Sequence, residues 1–246
     1  MQRRRGKDLE KRKGMIKVNE IKENRTAVYV LRRYLLLCAG LAIMAFGVAF
    51  SIKASLGTSP ISSVPYVVSL QWPCLSFGVA TFIWNILFIL IQMVLLRREF
   101  KPSQFLQVLV NLLFSVMIDV SMAILGFLNP SALWEQCACV VLGCVVLAFG
   151  IVIELAPNVV VVPGEGVVRA IAQVTKIRVG TVKAAFDITL IVIAGVMSLI
   201  CFHELRGVGV GTVISALLVG PIINVINRVF TFQHRIQALA LSRDGR

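Results

Sequence analysis

Residues 31–53 read LRRYLLLCAGLAIMAFGVAFSIK, with 19 consecutive uncharged residues between Arg33 and Lys53. At ~1.5 Å of rise per residue, such a run reaches across most of a ~30 Å hydrocarbon layer. Five runs of the same kind follow, so the sequence predicts spans at about 30–52, 76–96, 103–127, 134–155, 180–202 and 209–231. The whole chain is 58% hydrophobic, against ~45–50% for soluble domains, which excludes a water-only fold. The fold class is therefore an all-α integral membrane protein with six transmembrane helices. Residues 30–231 form the membrane domain, between a basic tail at 1–29 and a shorter one at 232–246.

A net charge of +13 would ordinarily raise a nucleic-acid partner, but 12 of the 25 Lys and Arg residues fall in the first 33 positions. They are diluted there by Asp8, Glu10, Glu20 and Glu23, with no interleaved aromatics on which bases could stack. Attraction to anionic lipid explains such a tail, and no nucleic-acid partner is expected. The apolar run behind it exceeds the ~7–15 residues of a secretory core, so it is read as a retained first span. With that span leaving the cytoplasm, 23 of the 25 basic residues lie on the inside and only Lys53 and Arg206 outside. The positive-inside rule then places both termini in the cytoplasm, and Trp72 and Trp134 fall at the outer boundary.

Sliding the sequence on itself by 103 positions superposes Gly40, Ala45, Phe46, Gly47 and Pro60 on Gly143, Ala148, Phe149, Gly150 and Pro163. After one gap, Gly78, Trp84 and Asn85 meet Gly180, Phe186 and Asp187. Halves of three spans each, about 30–127 and 134–231, would enter the membrane from opposite sides, as in transporters built from inverted repeats. Each half also carries a Pro-started short segment. The first is SLGTSPISSVPYVVS, with Ser59, Pro60 and Ser62; the second is VVVVPGEGVVRAIAQV, with Pro163, Gly164, Glu165 and Gly166. Pro, Ser and Glu suit the first turn of a helix. These helices are either re-entrant, with their free N–H groups forming an anion site, or amphipathic and flat on the membrane surface.

Acids at membrane depth cost ~2.5–3.5 kcal/mol even on permissive scales, so each needs a reason. Asp187 stands in the fifth predicted span and Asp119 in the third, while Glu154, near the inner end of the fourth, is expected to reach interfacial water. Asn85 matches Asp187 in the repeat and Asp119 roughly matches Asn224. Two explanations stand: hydrogen bonds tying spans together, or coordination of a substrate or cation, with Lys183 as charge partner to Asp187. The paired Gly40 and Gly47, and Gly143 and Gly150, are read as close helix packing. The run from Gly207 to Thr212 is read as a flexible helix start, not a phosphate loop. Six cysteines without a CxxC pair suggest core residues, with neither a disulfide framework nor a metal site. No cofactor is indicated. His203 and His234 sit near span ends with no nucleophile to serve, so an enzyme is not expected.

The stretches SLGTSPISSVPYVVSL, LSFGVATFIWNILFILIQMVLLRREF, QFLQVLVNLLFSVMIDVSM, PGEGVVRAIA and GVGTVISALLVGPIIN together resemble the YczE/YyaS/YitT family of bacterial membrane proteins, over about 35–230. The resemblance implies a multi-pass bacterial plasma-membrane protein and no particular reaction. Its family-like positions here are Pro60, Phe77, Gly78, Asp119, Pro163, Gly164, Glu165, Gly166, Asp187, Gly211 and Gly220, with Ser115 where relatives often carry Gly.

These readings converge on a small-solute transporter or permease with a midplane site between the repeats. The alternatives are a substrate-capture subunit needing an energising partner, and a membrane scaffold or regulator. Expected partners are the lipid bilayer, an unidentified small solute or ion, and a second copy or energising subunit. For the orientation, a green fluorescent protein fused after Arg246 should fluoresce in the cell, and alkaline phosphatase fused there should be inactive. The opposite pair of results would invert the topology.

Overall fold

The computed structural model describes residues 30–100, 102–157 and 159–229. The two predicted tails lie outside the described residues. Six helices are long and apolar enough to cross a membrane: α1 (Val30–Lys53), α3 (Phe77–Leu96), α4 (Leu106–Ile124, continued by a 3-10 turn to Phe127), α5 (Leu133–Leu155), α7 (Val179–Phe202) and α8 (Val210–Val229). Two short helices, α2 (Pro60–Gln71) and α6 (Pro163–Thr175), begin at the two prolines singled out in the sequence. The described residues hold no strand. The third span starts later than predicted because Pro102–Phe105 winds as a 3-10 helix before it.

Local chemistry sets the helix ends. Ser76 opens α3, its hydroxyl accepting from the Val79 N–H at 3.1 Å. Glu135 folds back over the start of α5 and accepts from the backbone N–H of Ser131 at 3.0 Å and of Ala132 at 3.3 Å. Such contacts satisfy donors that have no partner inside the helix. Pro at the first position suits α2 and α6, where its missing N–H removes nothing. Lys176 and His203 close α6 and α7 in the left-handed region, at φ 59° and 58°.

The helices α1 and α5 cross in close contact. A Cβ added at Gly40 would lie 2.6 Å from the Glu154 nitrogen, and one at Gly47 would lie 2.4 Å from that of Leu147. Seen from the other helix, a Cβ at Gly150 would lie 2.5 Å from the Met44 nitrogen, and one at Gly143 the same distance from Ser51 Oγ. The helices therefore meet backbone to backbone, as small residues allow in membranes where no hydrophobic force drives helices together.

Around this crossing the buried side chains sort into two bodies. One cluster joins Val64 and Val67 of α2, Phe88 of α3, Val167, Val168 and Ala172 of α6, and Val182, Leu190 and Ala194 of α7. The other side is built on α1, α4 and α5, with α8 laid against α5 through Ile214, Val219 and Ile222. Within the first body the short helices exchange partners: α2 packs chiefly on α7 and α6 on α3. The two bodies join closely along α3 and α4, but α7 and α8 share few contacts.

Gly47→Val and Gly150→Val should each lower the thermal midpoint of the detergent-purified protein and its yield as a single gel-filtration peak. Overpacking of this kind costs ~1–3 kcal/mol or more. Gly126→Ala, where an added Cβ meets nothing within 4 Å, should leave both unchanged.

Candidate functional site

Both short helices start in packed protein and end exposed: Pro60 and Pro163 are buried, whereas Gln71 and Thr175 are exposed. Their starts face each other, since a Cβ on Gly164 would fall 1.9 Å from Ile61 Cδ1. Gly164 is thus the residue that lets the two first turns touch. The N-terminal end of a helix carries unpaired N–H groups and about half a positive charge, so two such ends are brought together here.

Beside them, between the two bodies, lies a cavity of about 320 Å³. It is lined by Ser59, Pro60 and Ser62 of the first segment, Gly164 and Glu165 of the second, and Asn85 and Asp187 from the matched positions of α3 and α7. Asp187 accepts from the Lys183 ammonium at 2.7 Å, and both residues line the cavity. Asn85 donates to Asn111 Oδ1 at 2.8 Å, and Asn111 donates in turn to the Phe82 carbonyl at 3.0 Å. Ser59 donates to Ser62 Oγ at 3.0 Å, so the start of α2 carries a hydroxyl pair, with no acid in its first turn. The corresponding turn of α6 carries Glu165. Met44, Val48, Leu147, Ile151, Val219 and Ile223 add aliphatic surface to the lining.

Four of the residues singled out in the sequence stand elsewhere. Asp119 does not line the cavity; it holds the start of α3, accepting from the Ser76 hydroxyl at 2.6 Å and the Gly78 N–H at 2.7 Å. Asn224, which the sequence roughly matched to it, is exposed on α8. Asp119 and Asn224 thus form no central pair matching Asn85 and Asp187. Pro163 begins α6 next to the cavity lining, its carbonyl accepting from Gln92 at 3.0 Å. Gly166 makes room for that glutamine, because a Cβ there would lie 2.5 Å from Gln92 Oε1.

Sequence reasoning passed over several residues. Gln92 and Gln107, both buried, exchange hydrogen bonds at 3.2 and 3.3 Å and tie α3, α4 and the start of α6 together. Their signal was amides within apolar runs, weaker than that of a charge. Thr81, Ser215 and Arg169 also line the cavity. Glu154 does not reach interfacial water: it is 1% exposed, packs against Gly40, and accepts from the Val162 N–H at 3.1 Å. Its Oε2 has no hydrogen-bond partner among the described residues. The cysteines divide, with Cys139 and Cys144 buried and Cys74 and Cys137 exposed.

Residues 31–228 match the family described as Family of unknown function (DUF6198), and the chain belongs to that family. No curated protein matches the chain, and no solved structure does.

The two acids should separate in a stability measurement. Asp119→Ala strips an acceptor from two donors at once and should cost ~1–3 kcal/mol, read as a lower thermal midpoint. Asp187→Asn leaves an amide oxygen for the Lys183 ammonium to donate to, within a pair on one helix that ties no other element, so its midpoint should fall less. Equal losses would contradict this division of roles.

Proposed function

We propose that this chain carries a small solute across the membrane by exposing the cavity between its two bodies alternately to the two sides. The observation that carries the reading is the meeting of the two short-helix starts beside Asn85 and Asp187. Binding at the junction of inverted repeats, on broken or re-entrant helices, is the arrangement from which secondary transporters work.

Three contacts support the inverted repeat. Ile61 and Gly164 are 103 positions apart, the repeat offset, and they touch each other, as residues beside a two-fold axis must. The same offset turns the Gly40 contact with Glu154 into that of Gly143 with Ser51, and the Gly47 contact with Leu147 into that of Gly150 with Met44. The exchange of α2 onto α7 and α6 onto α3 follows the same rule.

The two halves differ where motion is required. Polar contacts fasten α3 to α4 at three levels: Ser76 and Gly78 with Asp119, Asn85 with Asn111, and Gln92 with Gln107. The matching helices α7 and α8 are parted, with the cavity between them. Alternation then consists of closing α7 on α8 while α3 leaves α4. Asp187 and Lys183 are the charged pair best placed to sense the solute or a coupling ion, since both line the cavity and one can leave the other.

The test is uptake by proteoliposomes containing only this chain, against a broad panel of amino acids, sugars, organic acids, amines and inorganic ions. For the solute taken up, Asp187→Asn and Asn85→Ala should reduce the rate at least tenfold. Asp119→Asn should reduce it no more than its loss of folded protein accounts for. No uptake and no binding from the chain alone would sink the reading of a self-sufficient carrier. Uptake restored by a co-purifying ATPase would favour the substrate-capture role.

A further inference from the structure

Glu154 is enclosed, and no cation is paired with it. Its side chain is 1% exposed and packs against Gly40 of α1. One carboxyl oxygen accepts from the Val162 N–H at 3.1 Å, and the other has no hydrogen-bond partner among the described residues. Neither ion pair among those residues, Lys183 with Asp187 or Arg206 with Glu204, involves it. A buried carboxylate without a paired cation is costly, whereas a proton on the same group removes the charge.

The charged groups around it favour the protonated form. From α6, Glu165 and Arg169 lie close enough to act on Glu154 electrostatically. On α1, Arg33 donates to the Pro157 carbonyl at 2.9 and 2.6 Å. Arg228, the one ionisable residue of α8, is exposed, and the link from Ala156 to Val162 has no ionisable side chain. The cavity lining carries two acids, Glu165 and Asp187, and two bases, Arg169 and Lys183. That set balances without Glu154, and an ionised Glu154 would add a negative charge with no cation left in the lining to match it.

Position joins this acid to the cavity. Val162, which donates to its Oε1, is the N-cap of α6 and lines the cavity, so a single residue links the carboxyl to that space. The first half has no equivalent. At the offset of 103, Glu154 corresponds to Ser51 and Val162 to Ser59. Ser51 is equally buried, and its hydroxyl donates to the Gly47 carbonyl at 3.2 Å. Of the two matched positions, one can take up a proton and the other cannot.

We propose that Glu154 is a proton-binding site and that its proton is the ion to which solute movement is coupled. The proton is held while Val162 stays on the carboxyl. When the start of α6 moves away, the carboxyl opens to the cavity, its O–H bond breaks and the proton passes to water there. A proton bound more tightly in one packing than in the other biases the choice between them. The coupling rests on the transport reading, and the proton site does not.

The site is tested by the infrared spectrum of the full chain in dodecyl maltoside, a detergent without a carbonyl, in heavy water at neutral acidity. The carbonyl band of an un-ionised carboxyl should be present. It should shift when glutamate is labelled with carbon-13 and stay when aspartate is labelled, vanish in Glu154→Gln and persist in Glu165→Gln. Labelling needs no substitution, so with Glu165→Gln it identifies the acid even where Glu154→Gln fails to fold. The absence of the band, its response to the aspartate label, its survival in Glu154→Gln or its loss in Glu165→Gln overturns the site.

The coupling is tested in proteoliposomes loaded with the acidity indicator pyranine and given the same panel of solutes. Uptake should move protons in the parent, and Glu154→Gln should lower the protons moved per solute at least tenfold. Glu154→Asp, which keeps an acid, should restore them, and exchange of labelled for unlabelled solute, which moves no net proton, should persist in Glu154→Gln. Uptake without proton movement in the parent, an unaltered proton ratio in Glu154→Gln, or loss of exchange along with it overturns the coupling. A band assigned to Glu154 with no solute moved would remove the transport reading and leave the proton site standing. Uptake with no glutamate band and no proton movement would do the reverse.

Discussion

Everything in this fold is arranged around the backbone contact of α1 with α5. Gly40, Gly47, Gly143 and Gly150 remove the side chains that would otherwise hold the helices apart, and Leu147, Met44, Ser51 and Glu154 fill the positions opposite. Membrane helices cannot rely on exclusion from water for their association, so close van der Waals contact has to supply it. With that crossing at the centre, α4 and α8 pack on the outside of the pair, and the other four helices form a separate body beside it. The cavity is the seam between an apolar, glycine-locked frame and a body that carries the polar groups.

Much of this was readable in one dimension because the bilayer imposes a strong pattern. Span length and the spacing of small residues are one-dimensional signals, and the six long apolar helices follow them to within a few residues. The two prolines were equally legible, since Pro at the first helical position has a local cause and needs no tertiary context. The site was legible in part for the same reason. Ser59, Ser62, Glu165, Asn85 and Asp187 are polar residues placed where apolar ones would be expected, and they converge on one cavity.

What could not be read was the direction each buried polar group faces. Asp119 and Asp187 look alike in sequence, each an acid inside an apolar run. Asp119, however, lies within reach of the α3 start and is engaged by Ser76 and Gly78, whereas Asp187 meets only its own helix neighbour Lys183 and the cavity. The difference arises from how α3 and α4 lie together, a tertiary fact with no local signature. Glu154 was misjudged for a related reason. Its distance from the helix end suggested water, but Gly40 draws α1 so close that the carboxylate is enclosed and turns to the Val162 N–H. Burial of that kind depends on a glycine more than a hundred residues away in the chain.

The same comparison explains why α3 packs closely on α4 while α7 and α8 stay apart. Along α3 and α4 a donor faces an acceptor at three levels, so the interface closes on hydrogen bonds that low surrounding polarity makes stronger. Along α7 and α8 the polar groups have other commitments: Asp187 is held by Lys183, Ser215 accepts from Cys144 of α5, and Asn224 faces outward. Nothing comparable pulls α7 toward α8, and the seam stays open there. A ligand that drew Lys183 away would release Asp187 to look for a donor, and the helix nearest across the cavity is α8, with Ser215 already at the lining. On the proposed transport reading, occupation of the cavity and closure of the cleft would be linked through this one ion pair.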